Sequence, residues 1–326
     1  MTTLPITPES SRLPRYTRAD AEVSLQLTPR DLDILRTVES FRLLTSEQIQ
    51  SLIAGSDQAI LRRLQKLFHA NYLDRIRPRW VDKGGSTKMV YAITNRGAQA
   101  LLNAGVIDKL TKTDRNAQNR QVSDIFFRHT LFVSHIRAMF MLACQAGGGE
   151  QHHAIFPEQC QAQTESTTQV TTQPQIQFLS WREGQGIRDS IEVALPNGYA
   201  RLPIAADGFF TLQGAKGRLN FLVEADRGTM SIKKRFILKL RAYGEYFRQE
   251  KHVEKFNIKK FRVLTVTTGE ERRDNLARAA AAEEEIRRFA PLFLFAAEKD
   301  LPLSQPESVF TKIWKMPGKE ELCSIL

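Results

Sequence analysis

The chain has 326 residues, 47 Lys and Arg against 36 Asp and Glu, and 42% hydrophobic side chains, of which aromatics supply 9% of the chain. That length suits about two domains, each able to bury a core, and the composition excludes wholesale disorder. Three cysteines (Cys144, Cys160, Cys323) form neither a disulfide framework nor a zinc cluster. No apolar run nears the roughly 18 residues of a membrane helix, and the Ser/Pro/Thr-rich start lacks an apolar leader core. The expectation is a cytoplasmic protein with no membrane partner.

Residues 1–26 are polar, carry Arg12, Arg15 and Arg18, and read as a flexible basic arm. Thr28-Pro29 opens a helix, because Thr can cap and Pro at the first helical position loses no hydrogen bond. Leu32, Leu35 and Val38 follow at helical spacing. Thr45 with Gln48 makes a capping box for a second helix. After Gly55, Ser56 or Asp57 caps a third, with Ile60, Leu61, Leu64, Leu67 and Phe68 as its apolar positions.

Three helices with a tight turn before the third form a helix-turn-helix pattern. Residues 72–77 and 88–93 read as paired strands around a Gly84-Gly85 tip, which is a wing. Residues 27–110 are therefore expected to be a winged helix domain. Gln58, Arg62, Arg63, Gln65 and Lys66 lie off the apolar stripe of the third helix, and Arg and Gln are the side chains that read guanine and adenine edges. Arg75, Arg77, Arg79, Lys83 and Lys88 on the wing would meet phosphates. The partner expected is double-stranded DNA. A homodimer is expected too, through the apolar face of 98–110.

Residues 111–122 read as a linker, and 123–326 as a second domain. It opens with a helix over 124–145, in which Ile125, Phe126, Leu131, Phe132, Ile136, Phe140 and Met141 are expected to be buried. A Gln/Thr/Ser-rich insertion follows near 159–175. His152-His153 and Cys160 make no zinc site. Strands are then expected near 176–181, 205–212 and 219–225. A basic amphipathic helix over 231–247 follows, then a strand at 261–267, a helix at 270–289 and a last strand at 292–296. The order α-β-β-β-α-β predicts a mixed sheet covered on both faces, so the fold class is α+β or α/β. The net charge of +11 is concentrated here: residues 227–262 hold 12 basic and 3 acidic side chains. Such a stripe favours a polyanion, the plain alternative being a solvated surface. Lys233 and Lys234 are the expected DNA contacts.

Asp207 opening the second strand and Glu224-x-Asp226 closing the third resemble the PD-(D/E)XK, or restriction-endonuclease-like, fold. The resemblance implies Asp207 and Glu224 as metal ligands for Mg²⁺ or Mn²⁺, with Asp226 beside them. Asp226 stands at the position of the motif lysine, and Lys239 on the following helix is the candidate to replace it. Hard divalent cations take carboxylate oxygens, and a lysine would stabilise charge on phosphoryl oxygens. From about Leu27 to Trp314 the chain resembles the replication-relaxation family of plasmid and mobile-element proteins. The resemblance rests on Tyr91-Ala92-Ile93-Thr94-x-x-Gly97-Ala98, His129-x-Leu131, Trp181-x-Glu183 and Glu224-Ala225-Asp226-Arg227-Gly228-Thr229. Lys239-x-x-x-Tyr243, Val266-Thr267-Thr268 and Trp314 complete it.

Three readings follow. The chain is a DNA-binding protein acting in replication, relaxation or transcriptional control of a mobile element. Alternatively it is a Mg²⁺- or Mn²⁺-dependent nickase using Asp207, Glu224, Asp226 and Lys239, or an adaptor between proteins.

Overall fold

The computed structural model describes residues 15–19, 24–77, 88–146, 176–195 and 198–326. The chain falls into two compact units, Met1–Thr130 and Leu131–Leu326.

In the first unit, local capping sets the helix starts. Thr28 and Asp31 exchange hydrogen bonds as a capping box for α1 (Pro29–Phe41), with Pro29 at its first position. After β1 (Leu44–Thr45), Thr45 and Gln48 do the same for α2 (Ser46–Leu52). Gly55, at φ +136°, makes a turn that a side chain would strain, and Ser56 then caps α3 (Asp57–His69). β2 (Leu73–Ile76) and β3 (Val90–Ile93) pair antiparallel from Leu73↔Ile93 to Ile76↔Val90, and β1 adds to the far edge of β3. Thr94 caps α4 (Asn95–Asn103). Ile34, Leu35, Val38, Ile60, Leu64, Leu67 and Leu101 are buried between these elements.

Two stretches differ from the sequence expectation. The segment 111–122, read as a linker, contains α5 (Arg115–Arg120), which is tied to the unit by polar side chains. Arg115 pairs with Glu39, Arg42 donates to Asn119 (2.7 Å), and Asn119 donates to the Ile93 carbonyl (3.0 Å). In the arm, Arg18 donates to the carbonyls of Phe68 and Leu73 (2.9 Å each) and to Asp74 (2.8 Å). Neither stretch has apolar periodicity, so a reading based on hydrophobic spacing passes over both.

The unit boundary falls inside α6 (Asp124–Ala146). At its start, Ile125 (83%) and Phe126 (48%) are exposed rather than buried, and Phe127 takes the inward position. The second unit is built on a mixed sheet of seven strands among the described residues, ordered β12-β11-β10-β9-β8-β7-β4. In chain order these are β4 (Gln177–Arg182), β7 (Gly208–Gly214), β8 (Gly217–Asp226), β9 (Arg262–Thr267), β10 (Phe293–Ala297), β11 (Trp314–Lys315) and β12 (Leu322–Cys323). β8, β9 and β10 run parallel, whereas β4, β7 and β8 are antiparallel. Between β4 and β7 the chain forms a separate hairpin, β5 (Asp189–Leu195) with β6 (Gly198–Ile204).

A π-helical turn (Ile232–Phe236) leads into α7 (Ile237–Arg248), followed by α8 (Lys251–Phe256). α9 (Glu270–Ala282) and α10 (Glu284–Arg287) connect β9 to β10. Strand side chains alternate between faces. Phe209, Leu222, Val263 and Phe293 pack with Leu240 and Tyr243 of α7 and with Ile191, Val193 and Ile204 of the hairpin. Phe210, Phe221, Val223 and Leu264 pack on the other face with Phe132, Ile136 and Phe140 of α6 and with Trp314. α7 is thereby held between the large sheet and the small hairpin. The insertion at 159–175, with His152, His153 and Cys160, lies outside the described residues.

Candidate nucleic-acid interface and carboxylate cluster

The outward face of α3 carries Gln58, Arg62, Gln65 and Lys66, all exposed. Their spacing of i, i+4, i+7 and i+8 aligns them on one stripe. Leu61, expected inside, is 42% exposed and sits among them. Arg63 faces elsewhere: it forms a bidentate pair with Asp31, which is fully buried and also accepts from Thr28. Burial pushes the Asp31 carboxyl up, but Arg63 and the Thr28 donors outweigh it and hold the group below its usual range. Arg63 is thus committed to the fold rather than to a partner.

The strand residues divide likewise. Arg75 lies over the rings of Phe68 (4.2 Å) and Tyr91 (5.6 Å) and donates to the Arg15 carbonyl (2.8 Å), so its cation is spent inside the unit. Arg77 is exposed, with its guanidinium 5.8 Å from the Tyr16 ring. Lys88 is exposed and paired with Glu47 at the surface. Arg79 and Lys83 lie outside the described residues.

In the second unit the carboxylates converge where β7 begins and β8 ends. The Asp207 amide donates to the Val223 carbonyl, and the Ala225 amide donates to Asp207 Oδ2, both at 2.8 Å. This double link fixes Asp207 beside Glu224. Glu224 is buried, and its two oxygens accept from Lys239 Nζ and from the Tyr243 hydroxyl, both on α7. An i, i+4 pair on one helix face meets one carboxylate. Burial lifts Glu224 to about 7; Lys239 pulls against that shift and the Asp207 charge adds to it. Burial alone would lower Lys239, yet the pairing raises it above an ordinary lysine, so the ammonium keeps its proton.

Asp226 is held differently. Arg272 of α9 donates to both its oxygens, and Thr267 of β9 donates to Oδ2 at 2.7 Å. Arg272 also donates to the Met230 carbonyl (3.0 Å), which anchors the turn leading to Lys233 and Lys234. Both lysines are exposed on the π-helical turn, immediately before the helix that carries Lys239. Asp226 is therefore a strut for the basic turn.

A family model described as replication-relaxation matches residues 35–263, more than half of the chain. The chain belongs to the replication-relaxation family. Comparison with curated proteins finds no match, and comparison with solved structures finds none either. Membership points to a role in replication or relaxation of a plasmid or other mobile element. The family match takes in α3, Asp207, Glu224, Lys239 and Tyr243, and ends before Thr267 and Arg272, the partners of Asp226. Among the described residues no helix is long and apolar enough to cross a membrane.

Sequence reasoning missed Tyr243 as a partner of Glu224, although the i, i+4 spacing of Lys239 and Tyr243 is the signal for a shared helix face. It also missed Glu183, just past β4, which accepts from Trp181 Nε1 (3.4 Å). Loss of hydration raises the Glu183 carboxyl, Arg137 opposes this, and Asp207 repels it. Among the described residues no three His, Cys, Asp or Glu side chains converge to hold a metal ion. Asp207 and Glu224 are hard oxygen donors of the type Mg²⁺ and Mn²⁺ take, but both Glu224 oxygens already accept from Lys239 and Tyr243, so a cation there would have to displace the Lys239 ammonium.

Proposed function

We propose that this chain is a DNA-binding protein of a plasmid or other mobile element, in which the first unit is a winged helix-turn-helix module whose α3 face enters the major groove. One observation carries the reading: Gln58, Arg62, Gln65 and Lys66 share an exposed stripe, while the neighbouring Arg63 is withheld by Asp31. Arg reads guanine and Gln reads adenine through paired hydrogen bonds, and Leu61 offers an apolar contact for a thymine methyl. Arg77 just after β2 and Lys88 just before β3, with Lys233 and Lys234 in the second unit, would add phosphate contacts. Electrophoretic shift against the element's own origin or upstream duplex tests the proposal. Binding that weakens steeply as salt rises supports it, and no shift with any duplex at low salt overturns it.

A second reading, that the other unit is restriction-endonuclease-like and nicks DNA, is supported by the meeting of Lys239 with Glu224 beside Asp207. Asp207 and Glu224 would hold the divalent cation, whose Lewis acidity would draw charge from a phosphoryl oxygen. Tyr243 fixes Glu224, and Lys239 brings a positive charge to the same strand ends. Incubating supercoiled plasmid with Mn²⁺ and the protein decides it. Nicking that an Asp207→Ala variant lacks supports cleavage; no nicking, or equal nicking by both proteins, refutes it.

A further inference from the structure

Opposite the carboxylate cluster, at the other end of β8, lies a concentration of positive charge that neither reading uses. The turn between β7 and β8 carries Lys216, and Arg218 is the second residue of β8. The eight residue steps from Lys216 to Glu224 put roughly 26 Å between this end and the carboxylates, at about 3.3 Å per residue. Beside it, the segment entering β9 carries Lys259 and Lys260, with Lys255 on α8 just before. All five side chains are exposed, and none has an ion pair among the described residues. Residues 213–220 and 255–262 contain no Asp or Glu.

The backbone beneath these lysines is pinned. Asn220 Nδ2 donates to the Lys260 carbonyl (3.1 Å), which joins the two segments. His252 is buried, stacked on Phe247 (5.1 Å) and edge-on to Phe261 (5.2 Å), and its Nε2 lies 3.2 Å from the Lys259 carbonyl as the donor. Asn257, at φ +54°, ends α8 in a left-handed turn that Asn accepts more readily than most residues. A loop fixed this way presents its charges without first having to be ordered, and that lowers the entropic cost of a contact.

We propose that Lys216, Arg218, Lys255, Lys259 and Lys260 form a preorganised contact surface for the phosphate backbone of duplex DNA, separate from the α3 face. Five cations whose adjoining acid, Glu254, is already paired with Lys251 suit an evenly charged polyanion. A lipid surface would also call for bulky apolar side chains to anchor in it, and the only large one exposed on these segments among the described residues is Val253. Lysines bind phosphates as point charges, so the contact adds affinity and salt dependence rather than sequence preference.

The test is fluorescence anisotropy of the full chain on a random-sequence duplex across a salt series, with K216Q/R218Q/K259Q/K260Q beside wild type. If two of the four cations engage phosphates, the slope of log K against log salt falls by about 1.8, and affinity near 0.1 M salt drops about 60-fold. A charge-preserving K216R/R218K/K259R/K260R variant keeps both. The proposal fails if the glutamine variant binds like wild type, or if the charge-preserving variant loses as much. It also fails if the glutamine substitutions abolish binding to phosphatidylserine vesicles and leave DNA binding intact. An α3 variant, R62A/K66A, separates the two surfaces. Loss in that variant alone leaves the α3 reading standing and removes this one, and loss in the glutamine variant alone does the reverse.

Discussion

Replacing Arg62 and Arg63 separately by alanine should give opposite phenotypes from adjacent positions. Arg63 has a side chain only 20% exposed and is paired with an Asp31 carboxylate that is fully buried. Removing it leaves Asp31 with the Thr28 donors alone, and breaking a buried pair costs about 3–5 kcal/mol. For a unit of 130 residues, each kcal/mol lowers Tm by roughly 3–5 °C, so R63A should melt at least about 9 °C below wild type. Arg62 is exposed and has no partner among the described residues, so R62A should stay within about 0.5 kcal/mol of wild-type stability. Instead, R62A should lose about 1–3 kcal/mol of binding to a specific duplex, roughly a 5- to 150-fold change in Kd. Urea denaturation followed by circular dichroism reads the first quantity, and anisotropy reads the second. An R63A protein as stable as wild type, or an R62A protein equally destabilised, would refute the assignment of one arginine to the fold and the other to the partner.

Other outcomes follow from single contacts. Asp31 is held below its usual value, so its stabilisation is complete above the unfolded carboxylate pKa and is lost as pH falls through the lower folded value. A urea midpoint series in acid should lose this dependence in D31N. A Cβ on Gly208 would run into the Trp181 ring, so G208A should cost about 1–3 kcal/mol, and a W181A background should relieve part of that loss in a thermal melt. Y243F removes a donor from buried Glu224 and should cost about 1–3 kcal/mol by urea unfolding; a wild-type midpoint would show that the hydroxyl contributes nothing.

Much of the first unit was legible because its signals are local. Thr28, Thr45, Ser56 and Thr94 each cap a helix within three residues of the amide they satisfy, and hydrophobic spacing marked β2 and β3. α5 was not legible: its attachments, Arg115 to Glu39 and Asn119 to the Ile93 carbonyl, join polar residues far apart in sequence, where no periodicity records them. The hairpin of β5 and β6 did leave a signal, Ile191 and Val193 alternating toward Asn197-Gly198, a dipeptide suited to a tight turn, and it went unread. In the second unit, Asp207, Glu224 and Asp226 were legible as strand-end acids. Their separation into a buried carboxyl answered by α7 and a strut answered by α9 depends on Tyr243, Thr267 and Arg272. Those partners arrive only when distant strands and helices pack.

The polar anchoring of α5 also decides where the polypeptide can be divided. A fragment stopped after residue 110 would strip Glu39 of its guanidinium, Arg42 of an amide acceptor and the Ile93 carbonyl of its donor, on the strand that bridges β1 and β2. One carried through Arg120 keeps all three. Anyone isolating the amino-terminal half for binding work should place the cut beyond that helix, or risk mistaking a damaged piece for a weak binder.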